Sequence, residues 1–445
     1  MTTPLAKDAI KEDLDRSERS ASPTRRAPAD PKSIWPKLGP GLITGASDDD
    51  PSGIATYSQV GAQFGYALLW TMLLSYPLMA AIQEICGRIG RVTGSGLAAN
   101  LRKQYPRPVL FAVLALMSTA NIFNLGADLG AMGSSLALIV PGPPLLFTTL
   151  FGVVSLVAIL FIPYTSYAKY LKWLTLALFS YVGVAFFVRI PWRLVLLATV
   201  IPKVSLSSQS LVALVAVLGT TISPYLFFWQ ASQESEEVKN NRGQKSLKHA
   251  PAQAAVQLRR IHTDTYIGMA FSNAVAFFII LTAASTLHVH GIIDVSTCAQ
   301  AASALEPLAG RFAGTLFVCG IVGTGLLAVP VLAASAAYGI AEGCRWKASL
   351  EEPPRQAIYF YSAIGAATAT GLVMNFLHLD PVKALVWAAV LNGLVAGPLL
   401  AVIMVMASSR KVMGKFVVSK YLLWAGWLGT CVMVAVGVGV IVTWK

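Results

Sequence analysis

The chain has 445 residues, of which 55% are hydrophobic and only 12% charged, and its mean hydropathy is +0.63. A soluble protein carries about 25% charge, so this composition excludes a soluble globular class, and the lipid bilayer becomes the first expected partner. The net charge of +13 would suit a nucleic-acid binder, but the Lys and Arg collect in alternate loops between apolar segments, and nucleic acid is not expected as a partner.

Residues 1–34 mix Pro, Ser, Lys, Arg, Asp and Glu without an apolar core. They read as a disordered cytoplasmic tail rather than a signal peptide, followed by one membrane domain over 35–445. A span needs about 20 apolar residues. Eleven stretches qualify: 38–63, 66–86, 109–132, 145–163, 168–190, 209–233, 264–288, 311–338, 356–377, 382–407 and 421–443. Basic residues cluster in the tail and after spans 2, 4, 6, 8 and 10, for example Arg88, Arg102, Lys169, Arg260, Arg345 and Lys411. The loop after span 5 is the main exception, with Arg189, Arg193 and Lys203. The positive-inside rule then puts the N-terminus in the cytoplasm and the C-terminus outside. An inner, plasma-type membrane is the expected location. The five cysteines are scattered without CxxC spacing, so neither a disulfide framework nor a zinc site is expected.

The first span is interrupted by Asp48, Asp49 and Asp50, followed by Pro51, Ser52 and Gly53. Carboxylates at membrane depth persist when they face a protected polar site, and Pro and Gly let the backbone open there. The sixth span is broken in the same way by Gly219, Thr220, Thr221, Ser223 and Pro224. Two interrupted spans five helices apart point to an inverted repeat, 38–190 and 209–407, with a binding site at the midplane. The span 421–443 stands outside the repeat. In the third span Asn121, Asn124 and Asp128 share one helix face. Gln83 and Glu84 read as interfacial residues, and Glu234, Glu236 and Glu237 as solvated charges after span 6. Asn392, near Gly393 and Gly397, reads as an interhelical hydrogen-bonding residue. His288 and His290 fall in a loop with no expected metal role.

These motifs resemble the NRAMP family of divalent-metal transporters. The likeness rests on Gly39-Pro40-Gly41, on Ile54-Ala55-Thr56 through Gly61-Ala62-Gln63-Phe64-Gly65-Tyr66, on Gln83 with the run Gly87 to Leu97, and on Gly219, Thr221 and Pro224. The resemblance implies an all-α LeuT-type fold of 5+5 helices plus one. It also implies alternating access, with spans 1, 2, 6 and 7 moving against the rest. Asp50 matches the family's metal-binding aspartate. At the other site positions the chain departs. Gly53 stands for the family's asparagine, Ser223 for its helix 6 methionine, Thr220 for the alanine whose carbonyl binds metal, and Tyr225 for a histidine tied to proton movement. The acidic pair of helix 3 is not reproduced, with Asn124 and Asp128 nearby, and the helix 10 glutamine is absent, leaving Asn392 nearby.

A thioether favours soft and borderline ions, whereas carboxylates, carbonyls and hydroxyls suit Mg²⁺ and Mn²⁺. Small Gly53 and Ser223 are expected to leave room for a hydrated ion. The pattern resembles the magnesium-transporting branch of the family. The expected cargo is Mg²⁺ with Mn²⁺, and no resident cofactor is expected. Asp50, Ser223, Thr220, Asp49, Gly53 and Ser47 are the expected site, with Asp48, Asn392, Asp128, Asn124 and Tyr225 as accessory residues. Loss of the histidine and of the helix 3 acid pair implies weak or no proton coupling. Alternatives are a proton-coupled Mn²⁺/Fe²⁺ transporter, an organic-solute symporter and a metal-binding membrane sensor. No HExxH or GxSxG motif suggests an enzyme. The sequence leaves the oligomeric state open; nothing in it demands more than a monomer.

Overall fold

The structure is a computed structural model that describes residues 44–45, 47–162, 177–240, 243–377 and 380–443. The tail, the start of the first expected span and the start of the fifth lie outside them. Eleven helices matter to the site: α1 (Pro51–Phe64), α2 (Trp70–Thr93), α3 (Arg107–Leu136), α4 (Pro144–Phe161), α5 (Ser208–Thr221), α6 (Pro224–Asn240), α7 (Ala254–Thr286), α8 (Ala313–Cys344), α9 (Ile358–Met374), α10 (Pro381–Ser408) and α11 (Lys420–Thr443). All regular elements among the described residues are helical.

Eight helical segments of the described residues are long and apolar enough to cross a membrane, with α5 and α6 together forming one of them. α1, at 14 residues, is too short to cross alone. α2 has 24 residues but carries Gln83, Glu84, Arg88 and Arg91 along its second half. A short helix, Trp192–Val200, lies against α2, in a region expected to be a loop. Large apolar side chains such as Phe161, Phe186, Leu206, Trp424 and Val442 stay exposed. An apolar exterior around helices that satisfy their own backbones is what a bilayer requires.

The helices pack in two groups. α7 packs on α1 and α2, and α6 on α2, while α3, α4, α8, α9 and α10 form the other set. α5 joins them by lying along α10. Gly219 makes that contact possible, because a Cβ there would collide with the backbone of Ala389 and Gly393. Small residues are the usual means of close helix approach in membranes.

Three expectations are corrected at one end of the molecule. Glu84 and Gln83 are buried, not interfacial. Glu84 pairs with Arg88 and lies 3.0 Å from His262 Nδ1. Glu234 and Glu236 are also buried, because α6 continues as a helix to Asn240 instead of ending before the acidic run. Arg260 joins Glu234 at 2.6 Å and Glu237 at 2.8 Å, and buried Arg91 lies 3.7 Å from Glu237. Arg260 itself is inside α7 rather than in a loop. This network links α2, α6 and α7. Buried charges are tolerated when paired in this way. All five cysteines are free.

Candidate metal site at the two helix breaks

The first expected span is helical at Ser47 and Asp48 and loses the helix at Asp49 and Asp50 before α1 resumes at Pro51. Asp50 has φ −74° and ψ 169° and caps α1. Its Oδ1 accepts from the Gly53 amide at 2.8 Å and from Ser52 Oγ at 2.7 Å. A carboxylate at a helix N-terminus is also favoured by the helix dipole. Asn124 Nδ2 of α3 donates to the other oxygen, Oδ2, at 2.8 Å.

Asp48 and Asp49 turn the other way, toward α7. Ser272 Oγ lies 2.6 Å from Asp48 Oδ2 and 3.0 Å from Asp49 Oδ1, so one hydroxyl serves two carboxylates. Asp48 Oδ1 has no partner. All three aspartates are at most 3% exposed, and no ion pair among the described residues reaches them. If all three were ionised, no Lys or Arg among the described residues would compensate them, which is costly at low dielectric.

The sixth span breaks at Ile222 and Ser223, between α5 and α6. Pro224 has no N–H, so the carbonyl of Thr220 loses its helical donor. Ser223 Oγ replaces it, donating to the Thr220 carbonyl at 2.6 Å and approaching that of Gly219 at 3.3 Å. Tyr225, one residue after the proline, reaches across and donates to the Ser47 carbonyl at 2.7 Å. The Tyr225 carbonyl in turn accepts from Ser335 Oγ of α8 at 2.7 Å. The two breaks are thus hydrogen-bonded face to face.

Gly53 departs from the expectation of open room. A Cβ built on it would lie 3.1 Å from Thr220 Oγ1, 3.3 Å from Tyr57 and 3.5 Å from Asp50 Oδ1. The space a side chain would take is filled by Thr220, which hydrogen-bonds Tyr57. What glycine provides here is close approach of a hydroxyl to the Asp50 cap. Among the described residues no group of three or more His, Cys, Asp and Glu side chains is set to hold a metal ion. A cation at this place would draw on a mixed set: carboxylate, hydroxyl and backbone oxygens, with no thioether.

Asn124 and Asp128 lie on the α3 face turned to the break. Asp128 is fully buried and lies beside Asp50, with the Ser52 backbone N–H as a hydrogen-bond donor to it. Asn392 of α10 is also buried. It makes no interhelical hydrogen bond, contrary to expectation, and both its side-chain polar atoms are unpartnered.

Sequence reasoning missed Ser272 and the hub below the site. There Gln230 accepts from Thr44 Oγ1 at 2.7 Å, while Gln83 donates to the Leu226 carbonyl at 2.8 Å. Ser272 sits in a long apolar helix, where a lone serine gives no signal; only the fold brings it to the aspartates. A cavity of about 310 Å³ opens on one side of the breaks, lined by Thr56, Gln59, Gln63, Gln209, Ala216 and Trp387. On the other side α6 closes against α8. Tyr338 donates to Glu236 at 2.7 Å and Ser232 to Glu342 at 3.2 Å.

The likeness to solved structures agrees with this architecture. The Eremococcus coleocola manganese transporter superimposes with a TM-score of 0.71 at 18% identity, over 93% of this chain and 88% of that one. Mhp1, a nucleobase-cation-symport-1 family transporter, matches with a TM-score of 0.59 at 14% identity, over 91% of each chain. In sequence, the divalent metal cation transporter MntH of Klebsiella pneumoniae is 27% identical over 409 residues, 89% of this chain and 92% of the relative. The profile of the family described as natural resistance-associated macrophage protein-like (Nramp) matches residues 41–443. With the match spanning nearly the whole chain, and with the broken spans placed as that family's resemblance implied, the protein belongs to the Nramp family.

Proposed function

We propose that the protein is a divalent cation transporter that moves Mg²⁺, and also Mn²⁺, across the membrane by alternating access with weak or no proton coupling. The observation that supports it is the chemistry of the facing breaks. The Asp50 carboxylate, Thr220, the Ser47 backbone and Ser223 offer oxygen only, and Ser223 stands where the family resemblance places a methionine. Hard Mg²⁺ prefers such donors. Asp50 is the principal ligand in this reading. Asp49 and Asp48 supply charge, and Gly53 lets Thr220 approach.

The proposed fold is eleven spans in a LeuT-type inverted repeat, with a cytoplasmic N-terminus and an external C-terminus. In that orientation the cavity beside Thr56 and Trp387 opens outward. The α6–α8 contacts at Glu236 and Glu342 form the closed inner gate. The moving group would be α1, α2, α5, α6 and α7.

Purified protein in liposomes loaded with a Mg²⁺-sensitive dye tests the reading. Uptake is expected in the wild type and lost in Asp50→Ala; unchanged uptake in that variant would remove Asp50 from the site. An internal pH dye is expected to stay flat during Mg²⁺ entry. A second reading, proton-coupled Mn²⁺ transport, is favoured by the buried acid Asp128 on α3. Internal acidification accompanying metal entry would establish it in place of the first.

A further inference from the structure

A second cavity, of about 390 Å³, lies away from the helix breaks, between the ends of α6 and α8. Four cationic side chains line it, Arg102, Lys239, Arg345 and Lys347, with Glu342 and Glu352 among them. They come from separate elements. Arg102 is in the last turn of the short helix Leu97–Gln104, Lys239 is in the last turn of α6, and Arg345 caps α8. The short helix packs on both α8 and α6.

The two carboxylates are already committed. That of Glu342 accepts from the Ala99 amide at 3.1 Å and from Ser232 Oγ at 3.2 Å. Glu352 lies 3.9 Å from Lys347. Arg102 donates to the backbone carbonyl of Glu342. Lys239 senses Glu236 and Glu342 only at longer range, and among the described residues neither it nor Arg345 joins an ion pair. The cavity is therefore net positive, and it can receive an anion.

Two further features mark the place. Arg345 has φ 64° and ψ 28°, and it is the one non-glycine with positive φ among the described residues. Glycine is the ordinary choice at such a helix end, so the strain here is accepted for a cation. Next to it, Trp346 stacks on Tyr359 with ring centroids 5.1 Å apart. Both rings are exposed, as is Ile358 at the start of α9, a helix apolar enough to cross a membrane. Exposed Trp and Tyr at the end of such a helix sit at the level of lipid headgroups.

We infer that this cavity binds the phosphate headgroup of an anionic phospholipid, and that the lipid ties α6 to α8 and holds the inner gate closed. A phosphate ester takes hydrogen bonds from the planar forks of Arg102 and Arg345 and charge from Lys239 and Lys347. Basic pockets between membrane helices on the cytoplasmic side suit such headgroups, and the aromatic pair at headgroup level favours a lipid over a soluble phosphate. The effect on the gate rests on the proposed orientation and alternating access. In that reading Lys239 travels with α6 while Arg345 stays with α8, so the headgroup bridges two groups that the stroke separates.

The test begins with binding, measured by native mass spectrometry on the full-length protein with phosphatidylglycerol and phosphatidylcholine as probes. The wild type is expected to prefer phosphatidylglycerol. Arg345→Gly removes the cation and relieves the backbone, so it is expected to bind phosphatidylglycerol about fivefold more weakly, the scale of one basic residue near a membrane surface, with an unchanged or raised melting temperature. Lys239→Gln is expected to weaken binding similarly, and it keeps the inference testable if Arg345→Gly does not fold. No preference in the wild type, or wild-type binding in both variants, would overturn the site. Stabilisation of lipid-free protein by inorganic phosphate or ATP, lost in both variants while lipid binding is kept, would give the cavity to a soluble phosphate and overturn the lipid. Mg²⁺ uptake then tests the gate. In phosphatidylglycerol vesicles both variants are expected to outpace the wild type by up to about fivefold, since a ligand shifts an equilibrium only by its differential affinity; in phosphatidylcholine vesicles the three should match. Equal rates in both lipids would overturn the hold on the gate. A wild type that carries no Mg²⁺ in either lipid would refute the proposed function instead, while the headgroup site is decided by binding alone.

Discussion

The two helix breaks solve the same backbone problem with opposite chemistry. Each restarts on a proline, Pro51 or Pro224, and each has one polar residue just before it. Asp50 faces forward and accepts from the amides of the helix that follows. Ser223 faces backward and donates to the carbonyls of the helix that precedes it. The first break therefore concentrates negative charge, and the second moderates it. A hydroxyl cannot take over the first task, because it brings no charge, and a methionine could not perform the second, because a thioether donates no hydrogen bond.

Three substitutions probe this division, in descending order of expected effect. Asp50→Ser keeps a good helix cap and removes the carboxylate. Metal uptake is expected to fall by about a hundredfold or more, as for loss of a charged ligand, while the melting temperature in detergent stays close to that of the wild type. A variant that melts early but transports once folded would show that the aspartate serves the helix rather than the ion. Ser223→Met trades the hydroxyl for a soft ligand. Competition by Cd²⁺ and Mn²⁺ against Mg²⁺ uptake is expected to strengthen by about tenfold, and a flat competition profile would break the contrast between the two sites. Ser272→Ala takes away the hydroxyl that Asp48 and Asp49 share. Mg²⁺ uptake should change by about fivefold, the scale of one net hydrogen bond of roughly 1 kcal/mol. No change would mean that those two aspartates act only through their long-range field.

Much of this was legible in the chain itself, and the reasons are physical. The spans could be read because a bilayer requires long apolar runs, and the paired breaks because Pro beside polar residues is conspicuous inside such runs. Boundaries at one end could not be read. Glu84 looks interfacial, and Glu234 and Arg260 look like loop charges, until their pairing within α2, α6 and α7 is known. Asp50 stood out by position, but its link to Asn124 and the role of Ser272 depend on contacts between residues 74 and 223 or more positions apart. The volume expected around Gly53 was misjudged because sequence shows which side chain is missing and does not show which neighbour, here Thr220, moves in.

The paired charges at the far end of α2, α6 and α7 have a mechanical meaning. Arg91, Glu234, Glu237 and Arg260 are largely shielded from water, so parting them would strand charges in a poor solvent. The three helices are thereby yoked into a single lever. Under the proposed alternating access, a stroke that swings α6 away from Tyr338 would carry α2 and α7 along.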